Sequence, residues 1–264
     1  MDKRYGICHL PLIPLRASAT HRAEMVSQVI FGQIYTITQT EENWLNIKLI
    51  NDGYEGWIDK NQYQEIDALL AEKLSTQKIY YTANAITQAF NPAKKENIYI
   101  PFGAALHHLA HNVFNIGDDL YEIKNANVVL PEVKNFTKMV ENTAQLFINA
   151  PYLWGGKTHL GIDCSGFTQQ VFKLCGIQLP RDAWQQAQEG VLVDFLETVQ
   201  LGDLAFFDNA EGKITHVGML LNKHQIIHAS GKVKIDRIDN YGIFSEQLNA
   251  YSHTLRIIKR MVIS

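Results

Sequence analysis

The sequence predicts an α+β domain in its C-terminal half, preceded by β-rich segments typical of small barrels. Short strand-like runs lie close together before residue 67 and recur more weakly up to about residue 130. After Pro131 the pattern changes to helical spacing and then to a series of strands. Because helices followed by antiparallel strands indicate an α+β arrangement, we expect three segments: 1–66, 67–130 and 131–264.

The first segment alternates apolar and polar residues, as strands do. Trp44–Ile50 and Tyr54–Ile58 are two such runs, and the Asp52-Gly53 pair between them is typical of a hairpin turn. Together with the run Ser27–Ile37, this density of short strands predicts a small barrel.

The second segment predicts a weaker copy of the same pattern. Its candidate strands are Ile79–Tyr81, Ile98–Gly103 and Leu120–Ile123. Strand density and segment length carry this expectation, since no residue-by-residue repeat is evident.

The third segment opens with two predicted helices. Apolar residues recur at helical spacing over Val133–Asn149, and a second helix is predicted from Cys164 or Ser165 to Leu174, with Gly176 at its C-terminal end. Four strands then follow: Leu204–Phe207, His216–Leu221, Gln225–Ala229 and Val233–Arg237.

Composition narrows the class of protein. Hydrophobic residues make up 46% of the chain and charged residues 19%, with a net charge of -3, so a globular core is expected and nucleic acid is a poor partner. The three cysteines argue against a disulfide framework and fit a reducing compartment. We see no signal peptide and no membrane span, so we expect a cytoplasmic protein, or a periplasmic or secreted one if a leader was removed.

Cys164 is the candidate nucleophile. It begins a predicted helix after a glycine-rich loop, where the helix dipole and unpaired N–H groups would favour the thiolate and lower the pKa of the thiol. The same N–H groups can stabilise an oxyanion. The alternative is a small, buried, structural cysteine.

A cysteine nucleophile needs a base, and two histidines lie on neighbouring predicted strands. His216 would be the base and His228 the residue that orients its ring. The cluster His107, His108 and His111 has helical spacing, but neither a carboxylate nor a cysteine completes a metal ligand set, so we predict no metal site.

Several motifs follow one another in order over the third segment. They are Tyr152-Leu153-Trp154-Gly155-Gly156, Asp163-Cys164-Ser165-Gly166-Phe167, Gly176 to Ala183 with Gln186, Gly202 to Phe207, Thr215-His216-Val217-Gly218 and Ile227-His228-Ala229-Ser230. In this order they resemble the NlpC-type cysteine peptidases of bacterial cell-wall metabolism, and the resemblance covers about residues 131–264.

The resemblance implies an α+β papain-like cysteine peptidase domain preceded by two small all-β SH3-like barrels. By position, Cys164 is the nucleophile, His216 the base and His228 the third member of the triad. The paired modules resemble those of the γ-D-glutamyl-L-diamino acid endopeptidases, which require a free N-terminal L-Ala on their substrate.

The resemblance also implies substrate contacts. Asp163 would bind the substrate ammonium, with a helix cap as the alternative, and Ser165 would bind substrate, although a polar helix start would look the same. Tyr152 and Trp154 would line the groove unless they are core aromatics.

The resemblance implies four further contacts with the substrate. Glu24 and Tyr54 of the first module would close one end of the groove, unless they are a solvated charge and a barrel-packing aromatic. Arg181 and Asp182 would border the groove unless they form a structural ion pair.

The function we predict is hydrolysis of murein peptides of the form L-Ala-γ-D-Glu-diamino acid, in cell-wall peptide recycling, with no metal or organic cofactor and no nucleic-acid or membrane partner. A monomer is favoured. The rivals are a secreted endopeptidase that lyses intact wall, a non-catalytic wall-binding protein, and acyl transfer or amidase chemistry. The preferred diamino acid, meso-diaminopimelate or Lys, stays open.

Overall fold

The computed structural model describes residues 3–124 and 126–261, which belong to two compact units. The first unit runs to Pro131 and also includes Lys157–His159, and the second comprises Glu132–Gly156 and the chain from Leu160 onwards. Within the described ranges, no helix is both long and apolar enough to cross a membrane.

The first unit is rich in short strands. It has one α-helix among its described residues, Ala68–Thr76 (α1). The strands are Tyr5–Ile7 (β1), Leu12–Arg16 (β2), Met25–Ile30 (β3), Ile34–Glu41 (β4), Trp44–Leu49 (β5), Glu55–Asp59 (β6), Glu65–Ile66 (β7), Tyr80–Thr82 (β8), Ile86–Asn91 (β9), Glu96–Pro101 (β10), Ala105–Leu106 (β11), Val113–Ile116 (β12), Asp119–Ile123 (β13), Val128–Val129 (β14) and Lys157–Thr158 (β15).

The predicted barrel segment forms a seven-stranded sheet in the order β3-β2-β6-β5-β4-β1-β7. The hairpin expected at Asp52-Gly53 is confirmed, since β5 and β6 pair antiparallel across it and Gly53 has a positive φ of 70°. The run Ser27–Ile37 contributes to two strands, β3 and β4, because Gly32 turns the chain with a φ of 81°.

The second predicted segment begins with a helix that strand density did not reveal. Asp67 caps α1 by accepting a hydrogen bond from the Leu70 N–H at 2.7 Å, and the helix buries Ala71 and Leu74. The strands that follow form a four-stranded sheet, β10-β9-β13-β12, and a three-stranded sheet, β11-β8-β14. Side chains of both predicted segments share one hydrophobic core, which includes Phe31 and Phe114 in edge-to-face contact.

The second unit packs helices on one large sheet. Its helices are Phe136–Leu146 (α2), Cys164–Leu174 (α3) and Ala183–Gln186 (α4). Its strands are Gly161–Ile162 (β16), Val191–Leu192 (β17), Leu204–Asp208 (β18), Ile214–Asn222 (β19), Gln225–Ser230 (β20), Lys232–Asp239 (β21), Gly242–Ser245 (β22) and Ala250–Arg260 (β23).

The large sheet runs in the order β17-β23-β18-β19-β20-β21-β22, and β22 also pairs with β23, so the strands close on themselves. The predicted start of α3 at Cys164 and its terminal Gly176, with a φ of 83°, are confirmed. The helix predicted over Val133–Asn149 is shorter, because Asn149 adopts a φ of 68° and the chain leaves the helix after Leu146. This arrangement packs α3 against β19 and β20.

Candidate active site

Cys164 is the first residue of α3, and its local sequence explains why the helix begins there. Asp163 has an extended backbone and accepts a hydrogen bond from the Gly166 N–H at 2.7 Å, as an N-cap residue does. Position 166 requires a glycine, because a Cβ there would collide with the carbonyl oxygen of Gly156. The motif therefore holds the thiol at a helix N-terminus, where it is only 6% exposed.

Both carboxylate oxygens of Asp163 accept hydrogen bonds from buried donors. Arg181 donates from Nη2 to Oδ2 at 2.6 Å and from Nη1 to Oδ1 at 3.1 Å, and the Gly155 N–H donates to Oδ2 at 2.8 Å. Arg181 also donates to the Ser165 hydroxyl at 2.9 Å and is 2% exposed. Asp163 is thus a helix cap, and Arg181 forms a structural ion pair with Asp163 rather than with Asp182. Binding of a substrate ammonium by Asp163 stays a prediction.

Asp182 begins the short helix α4 beside this network. Its backbone N–H donates to Gln185 Oε1 at 3.1 Å, which is half of a capping box. The buried Gln186 donates to the carbonyl oxygens of Ser165 at 3.1 Å and Pro180 at 2.9 Å. The segment after Arg181 is therefore anchored to the start of α3.

His216 and His228 contact each other across neighbouring strands. In the register of β19 and β20, Gly218 lies opposite His228, so His216 is its diagonal neighbour, within reach of a long side chain. His216 Nε2 and His228 Nδ1 are 2.9 Å apart, and both rings are buried. The expected side-by-side placement is confirmed. Gly218 makes room for it, because a Cβ there would lie 2.9 Å from the Cβ of His228.

The thiol and His216 are both neutral in the resting protein. Burial and then the Asp163 carboxylate raise the pKa of Cys164 to about 12, although the Val217 N–H, Arg181 and the Ser165 N–H act in the opposite direction. The prediction of a lowered thiol pKa was wrong because desolvation outweighs the helix N-terminus. Burial, and next His253, also holds the pKa of His216 well below its usual value.

Asp236 on β21 extends the histidine pair. Its Oδ2 lies 3.1 Å from His228 Nε2 and 2.9 Å from Lys234 Nζ. Sequence reasoning missed this carboxylate. The available signal was strand alternation, which puts Lys234 and Asp236 on the same face of β21. His228 lies opposite Lys234 on β20, so its side chain is on that face as well.

His253 on β23 is a second residue that the sequence did not single out. Its ring stacks on His216 with centroids 4.1 Å apart and an angle of 25° between the ring planes. The pKa of His253 is lowered to about 4, first by burial and then by His228. A third imidazole thus covers one face of the candidate base.

Ligand nitrogens of His216, His228 and His253 lie within 4.8 Å of one another, which raises the question of a metal ion. The lone pair of an imidazole nitrogen lies in the ring plane. Two nearly parallel rings stacked at 4.1 Å cannot direct such lone pairs at one ion. The facing nitrogens of His216 and His228 also already bind each other. These residues fit proton transfer better than metal ligation.

Tyr152 and Trp154 lie in the loop before α3. The Tyr152 N–H donates to the Gly231 carbonyl oxygen at 2.9 Å, and its side chain is half-buried. Burial raises the pKa of the Tyr152 phenol, and charges on Cys164 and Asp163 raise it further. Trp154 is 59% exposed, so it is not a core aromatic. Their contact with substrate stays a prediction.

Comparison with known proteins agrees with this geometry. Residues 149–251 match the NlpC/P60 family, and residues 15–62 match the bacterial dipeptidyl-peptidase SH3 domain. The chain carries an NlpC/P60 domain. A bacterial dipeptidyl-peptidase SH3 domain precedes it. The family match shows one SH3 domain, so a second over residues 67–130 stays a prediction.

Two relatives match this chain over most of its length. The γ-D-glutamyl-L-lysine dipeptidyl-peptidase of Bacillus cereus is 26% identical over 254 residues, which cover 88% of this chain and 76% of the relative. The Bacillus subtilis protein of the same name is 27% identical over 242 residues, covering 86% and 76%. The crystal structure of an NlpC/P60 family protein from Bacillus cereus covers 97% of this chain and 99% of that one, at a TM-score of 0.79 and 20% identity, and shows the shared papain-like fold.

Two predicted substrate residues lie in the SH3 domain. Glu24 is exposed just before β3, and its carbonyl oxygen accepts a hydrogen bond from the Ala17 N–H at 3.0 Å. Tyr54 is partly buried against the core of the first sheet, and its N–H donates to Asp52 Oδ1 at 3.1 Å. The barrel-packing alternative for Tyr54 is thus what the structure shows, and a role of either residue in binding substrate stays a prediction.

Proposed function

We propose that this NlpC/P60 protein hydrolyses the γ-D-glutamyl–diamino acid bond of peptidoglycan stem peptides that carry a free N-terminal L-Ala, releasing L-Ala-γ-D-Glu. The observation that carries the proposal is the 2.9 Å contact between His216 Nε2 and His228 Nδ1. These histidines lie on the two strands that pack against α3, the helix that Cys164 begins. Two relatives that cover most of the chain are named γ-D-glutamyl-L-lysine dipeptidyl-peptidases, which supports the substrate class.

The first step is transfer of the thiol proton. Because His216 Nε2 contacts His228, Nδ1 is the ring nitrogen left to accept the proton of Cys164. Both groups are neutral at rest, so proton transfer accompanies attack of the sulfur on the γ-carbonyl carbon of D-Glu. A substrate that fills the site at that moment completes the exclusion of water.

The tetrahedral intermediate then collapses to a thioester. We assign two donors to the developing oxyanion: the backbone N–H of Cys164 at the start of α3 and the Tyr152 hydroxyl. His216 returns its proton to the leaving amine of the diamino acid, and the C–N bond breaks. Water, deprotonated by His216, attacks the thioester and releases L-Ala-γ-D-Glu and the free thiol.

Selectivity for a free amine requires a carboxylate that the substrate ammonium can reach. The resemblance assigns this task to Asp163. We place the reaction in the recycling of cell-wall peptides in the cytoplasm.

The experiment compares L-Ala-γ-D-Glu-L-Lys, its meso-diaminopimelate counterpart and the N-acetylated form of each. We expect rapid cleavage of at least one free-amine peptide, with L-Ala-γ-D-Glu identified by mass spectrometry. The acetylated forms should be cleaved at least about 100-fold more slowly, because they leave the carboxylate that binds the ammonium without its partner. Equal cleavage of both forms would refute the free-amine requirement.

Two further measurements separate the rivals. Cys164→Ala should abolish cleavage while Cys175→Ala, which changes a buried cysteine at the other end of α3, should retain it. Release of fragments from intact sacculi at the rate seen with soluble peptides would favour the secreted lytic endopeptidase. Iodoacetamide that fails to alkylate Cys164 at neutral pH, together with no cleavage of any peptide, would favour a wall-binding protein.

A further inference from the structure

A carboxylate stands at the end of the histidine pair, on the side away from the thiol. His228 Nε2 lies 3.1 Å from Asp236 Oδ2, and His228 is completely buried while the Asp236 side chain is 14% exposed. In the register of β20 and β21, Lys234 lies opposite His228, so Asp236 is its diagonal neighbour. The geometry that joins His216 to His228 is therefore repeated one strand further along the sheet.

This contact determines where the ring protons lie. A carboxylate only accepts hydrogen bonds, so His228 carries its proton on Nε2 and presents the lone pair of Nδ1. His216 must then donate from its own Nε2, because two lone pairs cannot share a 2.9 Å contact. The lone pair of His216 consequently lies on Nδ1, where a base for the thiol needs it.

Without the carboxylate, the opposite set of tautomers becomes accessible. His228 could then carry its proton on Nδ1 and donate it to His216 Nε2, which would put the proton of His216 on Nδ1. In that state His216 cannot accept the thiol proton. In a serine peptidase triad, replacing such a carboxylate by an amide lowers kcat by about 10⁴-fold through the wrong tautomer.

The charges around His228 favour this assignment. Lys234 and Asp236 face it from β21, His216 from β19, and the ring of His253 lies 5.7 Å away on β23. Among these, Asp236 is the one anionic group, and Lys234 shares its Oδ2 at 2.9 Å. Lys234 thus fixes the carboxylate but also opposes protonation of the histidines, so its removal and that of Asp236 should have different effects.

We propose that Asp236 is a positioning residue that fixes the tautomers of His228 and His216, so that a chain of four residues, Cys164-His216-His228-Asp236, moves the thiol proton. The proposal rests on the proposed thiol peptidase reaction but makes no use of the substrate's identity.

The test compares Asp236→Asn with Asp239→Asn, a matched control on the same strand that contacts Tyr251 instead. We expect kcat to fall about 10- to 100-fold in Asp236→Asn, because Asp236 acts one residue further from the reaction than the carboxylate of a triad, with KM changed less than twofold. The control should stay within twofold of wild type. Equal kcat in both variants would overturn the proposal.

A double variant excludes an effect of the unpaired lysine. In Lys234→Ala/Asp236→Asn, the loss should persist, whereas Lys234→Ala alone should change kcat less than about threefold and shift the acid limb of the pH profile upward, because a cation near both histidines is removed. Full recovery in the double variant would mean that Asp236 only neutralises Lys234, and would refute the positioning role.

Nitrogen-15 NMR of the imidazole rings gives a readout that needs neither substrate nor a folded variant. In the wild-type protein, His228 and His216 should both be Nε2–H tautomers. An Nδ1–H signal for either ring would overturn the proposal directly. Alkylation of Cys164 by iodoacetamide should also slow in Asp236→Asn but not in Asp239→Asn, so the proposal stays testable even if the peptide substrates are wrong.

Discussion

The two sides of the candidate active site are held in contrasting ways. On the helix side, the Asp163 network (Asp163, Arg181 and Ser165) is a buried cluster in which both carboxylate oxygens are satisfied by several donors. On the sheet side, the histidine chain (His216, His228 and Asp236) is linked by one hydrogen bond per contact. The first arrangement resists change, and the second permits a proton to move. The difference predicts that damage to the helix side costs stability and damage to the sheet side costs turnover.

The largest effect is expected from removal of the base. His216→Gln should lower kcat by about 10⁴-fold or more, as loss of a triad member does in other peptidases, while thermal stability changes little. His224→Gln, which changes an exposed histidine after β19, is the control and should keep wild-type activity. Retention of more than a tenth of the activity in His216→Gln would show that the sheet side does not supply the base.

Arg181→Met should show the opposite profile. It leaves Asp163 as an uncompensated buried charge, and breaking such a pair costs about 3–5 kcal/mol in the free energy of unfolding. Chemical denaturation measures it. Arg260→Met removes the more exposed pair with Asp203 and should cost less. An Arg181→Met protein as stable as wild type, but inactive, would mean that Arg181 serves substrate binding rather than the scaffold.

Gly218→Ala tests how tightly the histidine chain is packed. The new methyl group would lie 2.9 Å from the Cβ of His228 and 2.7 Å from Cδ1 of Ile226, so one of them must shift. Overpacking of this kind costs about 1–3 kcal/mol, and displacement of His228 should lower kcat about 10-fold. The matched change on the helix side, Gly166→Ala, meets backbone instead and should lower stability more than Gly218→Ala. Equal losses of stability in the two variants would contradict the claim that the helix side is held more rigidly than the sheet side.

The pH dependence of stability gives a further test of the sheet side. Burial lowers the pKa of His216, His228 and His253 in the folded protein, so below pH 6.5 the unfolded chain binds more protons than the folded one. Stability is therefore present above that pH and is lost as the pH falls towards the folded values, by up to about 1.4 kcal/mol per pH unit for each fully buried histidine. Thermal melts between pH 7 and pH 5 should show this decline, and His253→Phe should make it shallower. A flat profile would contradict the burial of neutral histidines.

The sequence predicted the second unit better than the first. A cap, a glycine and regular spacing placed the start of α3, and strand alternation placed His216 and His228, because these signals are local. Asp236 could be placed beside His228 only with the register of β20 and β21, which alternation alone does not give. His253 comes from β23, at the far end of the chain, and no local pattern shows that it stacks on His216. The pKa of Cys164 was misjudged for a related reason, since burial depends on the packing of the whole unit. In the first unit, α1 was missed because its few buried residues, Ala71 and Leu74, give a weak periodic signal.

The central claim is that Cys164 carries the acyl group during cleavage. Rapid quenching of the enzyme with L-Ala-γ-D-Glu-L-Lys, followed by digestion and mass spectrometry, tests it most directly. We predict an L-Ala-γ-D-Glu thioester on the peptide that contains Cys164, with the peptides of Cys8 and Cys175 unmodified. Two results would contradict the account. One is turnover without that adduct in both the wild-type enzyme and Asp236→Asn, and the other is an adduct on another cysteine.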